Sequence, residues 1–269
     1  MSGSHDWYRG RVVIITGAST GIGRAVARQA VAAGANVALV ARSSERLAEL
    51  QAELGGPGRA LTAAADVSQR DQINQAVERC ATHFGRIDVA IANAGVEYLG
   101  PAERLDPAEL QTMLDTNFFG LVHLAQAVVP KMRQAGSGTL AYVSSPMARV
   151  GFSWTAGYAA SKSAAEAFLL GMSYELTGSG VHLIKVYPGP TDTTRPYLPV
   201  ERIPQWSAHR PKEPVDQVAG RLLDAVASGA REKTLSRPVG TLFLLQRWVP
   251  GLADRLITRI GAVPAAQRT

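Results

Sequence analysis

The sequence predicts an α/β fold in which a doubly wound parallel sheet of about seven strands carries helices on both faces. Short apolar runs alternate with longer segments of helical period, which is the pattern of repeated strand–helix–strand units. The chain has 269 residues, of which 46% are hydrophobic, so it can bury a large core. Because α/β chains of this length often form one unit, we expect a single domain over residues 1–269.

Seven short runs are predicted as strands. They are apolar and rich in Val, Ile, Leu or Ala, as expected for strands buried on both faces. In chain order they are Val12–Thr16, Asn36–Ala41, Ala60–Ala65, Val89–Asn93, Gly138–Ser144, His182–Tyr187 and a short seventh at Glu232–Leu235.

Six segments of helical period separate these strands. Ser44 and Ser68 are predicted N-caps, Gly34 and Gly55 are predicted helix stops, and Pro214 suits a first helical turn. The predicted helices are Gly21–Ala33, Ser44–Leu54, Gln69–Phe84, Pro107–Met132, Gly157–Thr177 and Pro214–Ser228.

Charge and cysteine content exclude several function classes. The net charge of +6 comes from scattered arginines with no basic run, so we expect no nucleic-acid partner. Cys80 is the single cysteine and is predicted to be a buried thiol in a reducing, cytoplasmic setting. We expect neither secretion nor a membrane span, because the first residues lack an apolar run and no segment reaches about 18 apolar residues. We also expect no bound metal.

A glycine-rich turn follows the first predicted strand. The sequence TGASTGIG places Gly17, Gly21 and Gly23 between that strand and the next helix. Without side chains there, backbone amides can approach a pyrophosphate at the helix N-terminus. The turn therefore predicts a Rossmann dinucleotide site, and a tight strand–helix turn that binds nothing is the alternative.

The end of the second predicted strand indicates which dinucleotide is bound. A carboxylate there would accept from a ribose 2′-hydroxyl, whereas a basic residue favours a 2′-phosphate. Arg42 and Ser43 occupy this position with no carboxylate, and a guanidinium beside hydroxyls suits a phosphate. We expect NADP(H) to be preferred over NAD(H). A solvated arginine that opens a helix is the alternative.

Two further turns are candidates for contact with the nucleotide. Asp66 and Val67 follow the third predicted strand, where the carboxylate can accept from the adenine amino group. Asn93, Ala94 and Gly95 follow the fourth, where small residues let a nucleotide pass close to the backbone. Asp, Asn and Gly also favour turns in general, so loop formation alone is the alternative.

A tyrosine and a lysine lie four residues apart in the sequence YAASK, at Tyr158 and Lys162. In a helix they stack on one face about one turn apart. A tyrosine hydroxyl with a pKa of about 10 is a poor acid or base at neutral pH, but a nearby ammonium favours its phenolate. Ser145 can orient a substrate oxygen, and Asn117 can hold a water that links Lys162 to solvent. We therefore predict these four residues as catalytic.

In order and spacing, these motifs resemble the short-chain dehydrogenase/reductase family from about Arg11 to Gly189. The resemblance implies hydride transfer between nicotinamide and a carbonyl or alcohol. It implies Tyr158 as general acid/base and Lys162 as the lysine that binds ribose and lowers the tyrosine pKa. It further implies Ser145 as the anchor of the substrate oxygen and Asn117 as the proton-relay residue.

The resemblance also extends to the segment PGPTDT, which fits the family's PGxxxT contact with the nicotinamide end. The implied cofactor-binding residues are Gly17, Ser19, Thr20, Gly21, Ile22, Arg42, Ser43, Asp66, Val67, Asn93, Ala94, Gly95, Tyr158, Lys162, Pro188, Gly189, Thr191 and Thr193. A nucleotide-binding sensor without turnover is the competing function, although such a protein would not need Tyr158.

The likeness weakens after Thr194, because the chain lacks the glycine-rich strand ending of many family members. We expect a nucleotide-binding and catalytic core over 11–190, a substrate-side loop, helix and last strand over 191–237, and a tail over 238–269. Loops that face the nicotinamide carry many aromatic residues, which predicts an apolar substrate, with packing under loops as the alternative. The candidates are Glu97, Tyr98, Met147, Phe152, Trp154, Tyr197 and Trp206.

The tail has apolar blocks on both sides of Pro250 and Gly251. This pattern predicts two short helices packed near the substrate entrance or across a subunit interface, and an interfacial membrane helix is the alternative. A homodimer or homotetramer is also predicted from apolar faces on two long helices, with a monomer as the alternative. The face residues are Leu121, Leu124, Val128, Ala164, Phe168 and Met172.

Overall fold

One parallel sheet of seven strands organises the chain, as the sequence predicts. A computed structural model describes residues 3–193, 202–208 and 210–261. The strands are β1 Val12–Thr16, β2 Asn36–Ala41, β3 Ala60–Ala64, β4 Val89–Ala92, β5 Gly138–Val143, β6 Val181–Tyr187 and β7 Glu232–Thr234. Their order in the sheet is β3-β2-β1-β4-β5-β6-β7, and every neighbouring pair is parallel. The chain reverses its winding direction between β1 and β4, which is where doubly wound sheets bind ligands.

Helices connect the strands and cover both faces of the sheet. α2 and α3 stop before Gly34 and Gly55 as predicted, because a φ of +88° or +93° suits glycine. Pro214 precedes its helix as the N-cap and does not lie in the first turn. The helices are α1 Gly3–Tyr8, α2 Gly21–Ala32, α3 Ser44–Glu53, α4 Arg70–Phe84, α5 Pro107–Met113, α6 Gly120–Gln134, α7 Ala156–Glu175, α8 Gln205–Ala208, α9 Val215–Ala227, α10 Arg237–Trp248 and α11 Pro250–Ile260.

Two predicted N-caps are wrong by one residue. Ser43, not Ser44, caps α3, because the Ser43 hydroxyl accepts a hydrogen bond from the Arg46 backbone amide at 3.3 Å. Gln69, not Ser68, precedes α4. Four strands also end one residue earlier than predicted, and β6 begins one residue earlier.

The predicted helix over Pro107–Met132 is interrupted. A π-helical turn at Leu114–Phe119 separates α5 from α6. The local sequence reads as continuous helix, so the interruption has a tertiary cause. Asn117, inside this turn, is 1% exposed and its amide bonds to other elements of the fold, in keeping with the occurrence of π turns at functional sites.

Side chains of β1 alternate between two cores, one on each face of the sheet. Val13 and Ile15 join the layer formed with α2, α3 and α9, whereas Val12 and Ile14 join the layer formed with α4, α6 and α7. Cys80 lies in the second layer with no exposed surface, and burial raises its pKa to about 12. The prediction of a buried thiol is therefore confirmed.

The predicted subunit face on α6 is wrong. Leu121, Leu124 and Val128 are buried in the core beneath the sheet. On α7, Phe168 and Met172 pack partly against the same core. A helix stripe that faces a sheet has the same period as one that faces a partner, so the pattern alone did not distinguish them.

A short N-terminal helix, α1, was not predicted. The Tyr8 side chain is 1% exposed, and its hydroxyl donates to the Leu223 carbonyl at 2.8 Å. Burial raises the pKa of Tyr8 well above its ordinary value. α1 therefore packs against α9 and covers part of the core layer that contains it.

The tail forms two helices that separate at Pro250, as predicted. The inner side of α10 and α11 contacts the loop before α7: Leu242, Phe243 and Ile257 pack against a cluster that contains Phe152 and Trp206. The outer side of both helices carries exposed apolar residues. No helix among the described residues is long and apolar enough to cross a membrane.

Candidate active site

Most of the predicted site residues lie at the carboxyl ends of the strands, where parallel strands converge on one edge of the sheet. Each follows a different strand, so residues distant in sequence share this edge. They are Gly17 after β1, Arg42 after β2, Asp66 after β3, Asn93 after β4, Ser145 after β5 and Pro188 after β6.

The glycine-rich turn between β1 and α2 is shaped for close approach. Gly17 and Gly21 have φ of +67° and +53°, and a Cβ on Gly23 would lie 2.3 Å from the Gly17 carbonyl oxygen. Thr20, the N-cap of α2, makes no side-chain cap, and the first turn of α2 has no acidic residue. The helix therefore presents uncapped amides and the positive end of its dipole, a combination that fits a pyrophosphate.

Asn93 and Ala94 hold this turn in place. The Asn93 amide donates to the carbonyls of Thr16 and Gly17 at 3.0 and 3.3 Å, and Thr16 Oγ1 accepts from the Asn93 and Ala94 backbone amides. The Asn93 side chain therefore joins β4 to the glycine-rich turn. Gly95, the next residue, has room for no more than a small group, since a Cβ there would lie 3.1 Å from Asn117 and 3.5 Å from Lys162.

Arg42 lies beside the same turn. The Ala18 amide donates to the Val40 carbonyl at 3.2 Å, which brings the glycine-rich turn against the end of β2. Arg42 is exposed, and it forms no ion pair within the described part of the chain. Ser43 uses one lone pair to cap α3, so its hydroxyl hydrogen is available to a ligand.

Asp66 and Val67 form the turn after β3. Asp66 Oδ1 accepts from the Ser68 amide at 2.9 Å, so this carboxylate oxygen closes a turn. The Val67 side chain is buried, and its Cγ2 methyl would lie 2.7 Å from a Cβ on Gly120. Only the main chain of Val67 is therefore positioned to meet a nucleotide.

Lys162 is buried at the end of β5. Its side chain is 3% exposed, and Nζ donates to the Val143 carbonyl at 2.9 Å. The ammonium also lies 4.8 Å from the centre of the Tyr142 ring and 5.9 Å from that of Tyr158. Burial lowers the Lys162 pKa to about 8, and the attraction of Glu166 opposes that change.

Tyr158 and Ser145 flank this lysine on separate elements. Tyr158 lies in the first turn of α7, one turn before Lys162. Ser145 follows β5 and is 7% exposed, and its Oγ accepts from the Met147 amide at 3.2 Å. The Ser145 hydroxyl hydrogen is left for another acceptor, so this side chain is set up to donate.

Asn117 is brought close to the lysine by the π turn. Its amide donates to the Val96 carbonyl at 2.8 Å and to Ser161 Oγ at 2.9 Å, and its oxygen accepts from the Val96 amide at 2.8 Å. Both amide hydrogens are therefore occupied, and the oxygen retains one lone pair. The Asn117 side chain joins the loop after β4 to α7, close to Lys162.

Glu166 is a site residue that the sequence analysis missed. It lies one helical turn after Lys162, and it accepts hydrogen bonds from Ser144 Oγ at 2.5 Å and Tyr187 OH at 2.9 Å. Arg149 adds a further contact at 3.3 Å. The carboxylate therefore braces the residue next to Ser145 and places a negative charge near Lys162. Its spacing of four residues from Lys162, which places the two side chains on the same side of a helix, is the sequence signal that could have identified it.

A family model described as short chain dehydrogenase matches residues 11–196. The chain belongs to the short-chain dehydrogenase family. The 11-beta-hydroxysteroid dehydrogenase 1A of Arabidopsis thaliana is 40% identical over 184 residues, which cover 67% of this chain and 52% of that protein. The chain thus matches about half the length of that relative. The dehydrogenase/reductase SDR family member 7B of Bos taurus is 31% identical over 265 residues, with 93% of this chain and 81% of the relative covered.

Solved structures of the family share the fold. A short-chain dehydrogenase from Streptomyces avermitilis superposes with a TM-score of 0.79 at 27% identity, covering 93% of this chain and 96% of that one. An alcohol dehydrogenase from Thermococcus sibiricus, solved with 5-hydroxy-NADP, superposes with a TM-score of 0.72 at 27% identity, covering 83% and 95%. These likenesses agree with the parallel sheet described above.

In this chain, the segment that follows β6 lies against the glycine-rich turn. A Cβ on Gly21 would lie 3.2 Å from Thr193 Cγ2, so the two segments approach closely. Thr191 Oγ1 donates to the Gly189 carbonyl at 2.9 Å, which tightens the turn that follows Pro188. Of the remaining predicted cofactor residues, Ser19 and Thr20 lie in the glycine-rich turn and Ile22 in the first turn of α2, where its side chain packs partly on the core.

The predicted aromatic pocket residues separate into two groups. Phe152 and Trp206 stack at 5.1 Å beneath the tail and so serve packing. Trp154, with φ of +70°, is strained and lines a cavity of about 420 Å³. That cavity is polar in part, because Arg104, Asp106, Glu109 and Arg202 also line it. Tyr197 lies outside the described residues.

Proposed function

We propose that this chain is an NADP(H)-dependent oxidoreductase that interconverts a carbonyl compound and a secondary alcohol. The observation that carries the proposal is the buried ammonium of Lys162, 5.9 Å from the Tyr158 ring. Burying a charge is costly unless it is paired and hydrogen-bonded, and buried ionisable groups with shifted pKa values cluster at functional sites. Here the charge lies at the same sheet edge as the uncapped N-terminus of α2.

When bound, nicotinamide supplies the carbon that gives or takes the hydride. In carbonyl reduction, the Tyr158 hydroxyl donates a proton to the substrate oxygen, and in alcohol oxidation the phenolate accepts it. The positive charge of Lys162 favours the phenolate. The Ser145 hydroxyl donates to the same substrate oxygen and fixes its position, while the remaining lone pair of the Asn117 oxygen can hold a water that links Lys162 to solvent.

The proposed preference for NADP(H) rests on Arg42. Its guanidinium is exposed beside the glycine-rich turn, with no carboxylate from the described residues paired to it. A free guanidinium can form two parallel hydrogen bonds to a phosphate. The relative from Thermococcus sibiricus was solved with an NADP analogue, which supports the same choice.

The proposed substrate is an apolar carbonyl compound or alcohol. A relative is named as a hydroxysteroid dehydrogenase, which supports chemistry at CH–OH and C=O groups. In this chain, Met147 follows Ser145 closely and is partly buried, and Trp154 precedes Tyr158. Because Phe152 and Trp206 are occupied by packing, we propose Met147 and Trp154, close in sequence to Ser145 and Tyr158, as the apolar contacts of the substrate.

A homodimer or homotetramer is proposed through the outer side of α7. Leu170 and Tyr174 lie one turn apart and are 52% and 69% exposed, and Phe119 at the end of the π turn is 41% exposed. Gly171 between them leaves open space. A second copy of α7 could pack closely on this side, which differs from the buried stripe of α6.

Replacing Tyr158 by Phe tests the proton transfer. We expect kcat for NADPH-dependent carbonyl reduction to fall by about 10² to 10⁴-fold, the usual effect of losing a general acid, with NADPH binding retained. Tyr174→Phe on the same helix is the matched control and keeps the wild-type kcat. A Tyr158→Phe enzyme that retained over a tenth of kcat would reject this tyrosine as the proton donor.

Arg42→Asp tests the cofactor preference. A charge-assisted contact contributes roughly 1.5 to 3 kcal/mol, so the wild type is expected to bind NADPH about ten- to a hundredfold more tightly than NADH. The substitution should abolish or reverse that ratio in fluorescence titrations. Arg59→Asp removes an exposed arginine at the opposite end of β3 and serves as control. Tighter NADH binding by the wild type contradicts the assignment.

Leu170→Arg tests the subunit contact, because it places a charge in the proposed interface. Light scattering at micromolar concentration should give a dimer or tetramer for the wild type and a smaller species for the variant. Leu244→Arg on α10, where the leucine is 61% exposed, should leave the mass unchanged. The proposal is wrong if the wild type is monomeric. It is also wrong if Leu244→Arg lowers the mass and Leu170→Arg does not.

A further inference from the structure

Exposed apolar side chains concentrate on the tail. Nine large hydrophobic residues are exposed in the described part of the chain, and six of them lie between residues 244 and 260. Soluble proteins rarely expose so many large apolar side chains in one short segment unless that segment binds something. We call these residues the outer tail face: Leu244, Trp248, Val249, Leu252, Leu256 and Ile260.

The α11 part of this face is arranged as on an interfacial helix. At 100° per residue, Leu252, Leu256 and Ile260 span a sector of about 80°. Arg255 and Arg259 occupy the adjoining sector on the side away from the core. On the other side of the leucines, Ala253 is fully buried and Ile257 packs on the loop before α7. Around the circumference of α11, the exposed apolar stripe therefore lies between the side that packs on the core and the side that carries the two arginines.

The α10 part has the same composition. Leu244 and Trp248 lie one turn apart and are 61% and 73% exposed, whereas Leu242 and Phe243 turn inward. The Arg247 guanidinium lies 5.4 Å from the centre of the Trp248 ring. Tryptophan and arginine are amphipathic side chains suited to a boundary between an apolar phase and water.

Charge distinguishes the possible occupants of this face. Arg247, Arg255 and Arg259 are exposed and form no ion pair among the described residues. A second copy of the tail would bring these like charges together, at a cost in free energy. An anionic surface would neutralise them and cover the leucines at once. Asp254, the one acid of α10 and α11, lies on a different side of α11 from the arginines.

We propose that the outer tail face binds the surface of an anionic phospholipid bilayer. The helices are 12 and 11 residues long, too short to span, so they lie in the headgroup region with the apolar stripe toward the acyl chains. The binding needs no catalytic turnover and does not depend on the proposed oxidoreductase reaction.

Vesicle sedimentation tests the proposal with the full chain. Vesicles of phosphatidylcholine with one third phosphatidylserine should bind the protein, and vesicles of phosphatidylcholine alone should bind it far less. Added salt should weaken the binding, because it screens attraction between the arginines and the lipid. Absence of binding to anionic vesicles, or equal binding to both kinds, would overturn the proposal.

Paired variants locate the binding surface. Near an anionic membrane each arginine contributes a factor of about five in affinity, so Arg255→Gln with Arg259→Gln should lower vesicle binding by roughly 25-fold. Arg59→Gln with Arg70→Gln removes the same charge from exposed positions elsewhere and should change binding little. Equal losses in the two double variants would mean that net charge, and not the tail, binds lipid.

Tryptophan quenching tests the apolar part of the contact. Brominated acyl chains in anionic vesicles should quench fluorescence of the wild type, and Trp248→Phe should remove most of that quenching while NADPH-dependent activity remains. If the quenching persists in the variant, another surface inserts. If anionic vesicles fail to bind and Leu252→Ser with Leu256→Ser lowers the mass of the protein, the face is a contact between copies and the lipid proposal is wrong.

Discussion

The site depends on keeping the charge of Lys162 inside the protein, where an ammonium is unstable without partners. The Val143 carbonyl, the Tyr142 ring and the nearby Glu166 carboxylate supply these partners. Burial still lowers the Lys162 pKa to about 8, below the value of about 10.5 in an unfolded chain. The folded state thus binds fewer protons between these pH values. Below pH 8, where Lys162 is charged in both states, its burial lowers the free energy of unfolding by the largest amount. That loss is recovered as the pH rises from about 8 to about 10.5.

Glu166 joins this lysine to the rest of the substrate side. Arg149 contacts Glu166 and forms a bidentate pair with Glu232 on β7, and its guanidinium lies 4.6 Å from the Tyr187 ring and 5.1 Å from the Phe243 ring. A continuous set of contacts thus runs from Glu166, one helical turn after Lys162, through β6 and β7 to α10. The tail that carries the proposed lipid-binding face in this way also supports the candidate active site.

Much of the fold was predictable because strands buried on both faces are continuous apolar runs. The glycine-rich turn and the YAASK spacing were also readable, since each depends on local geometry. What was missed depends on tertiary contacts. The π turn is set by the bonds of Asn117 to Val96 and Ser161, and the sequence around it reads as ordinary helix. The Asn93 side chain, predicted to contact the nucleotide, also holds the glycine-rich turn, and this second role depends on β4 lying beside β1. In the sequence, Glu166 looks like a solvent-exposed helix residue. Its role is visible only from its hydrogen bonds with Ser144, after β5, and Tyr187, in β6.

The ionisation of Lys162 tests this account most directly. The chain has five lysines, so the ¹³Cε resonances of lysine-labelled protein can be followed with pH, and Lys162→Met identifies the signal. The account predicts a Lys162 pKa near 8 in the wild type and a lower pKa in Glu166→Gln, where the stabilising negative charge is gone. A Lys162 pKa at or above the ordinary value, or one that Glu166→Gln leaves unchanged or raises, would contradict it.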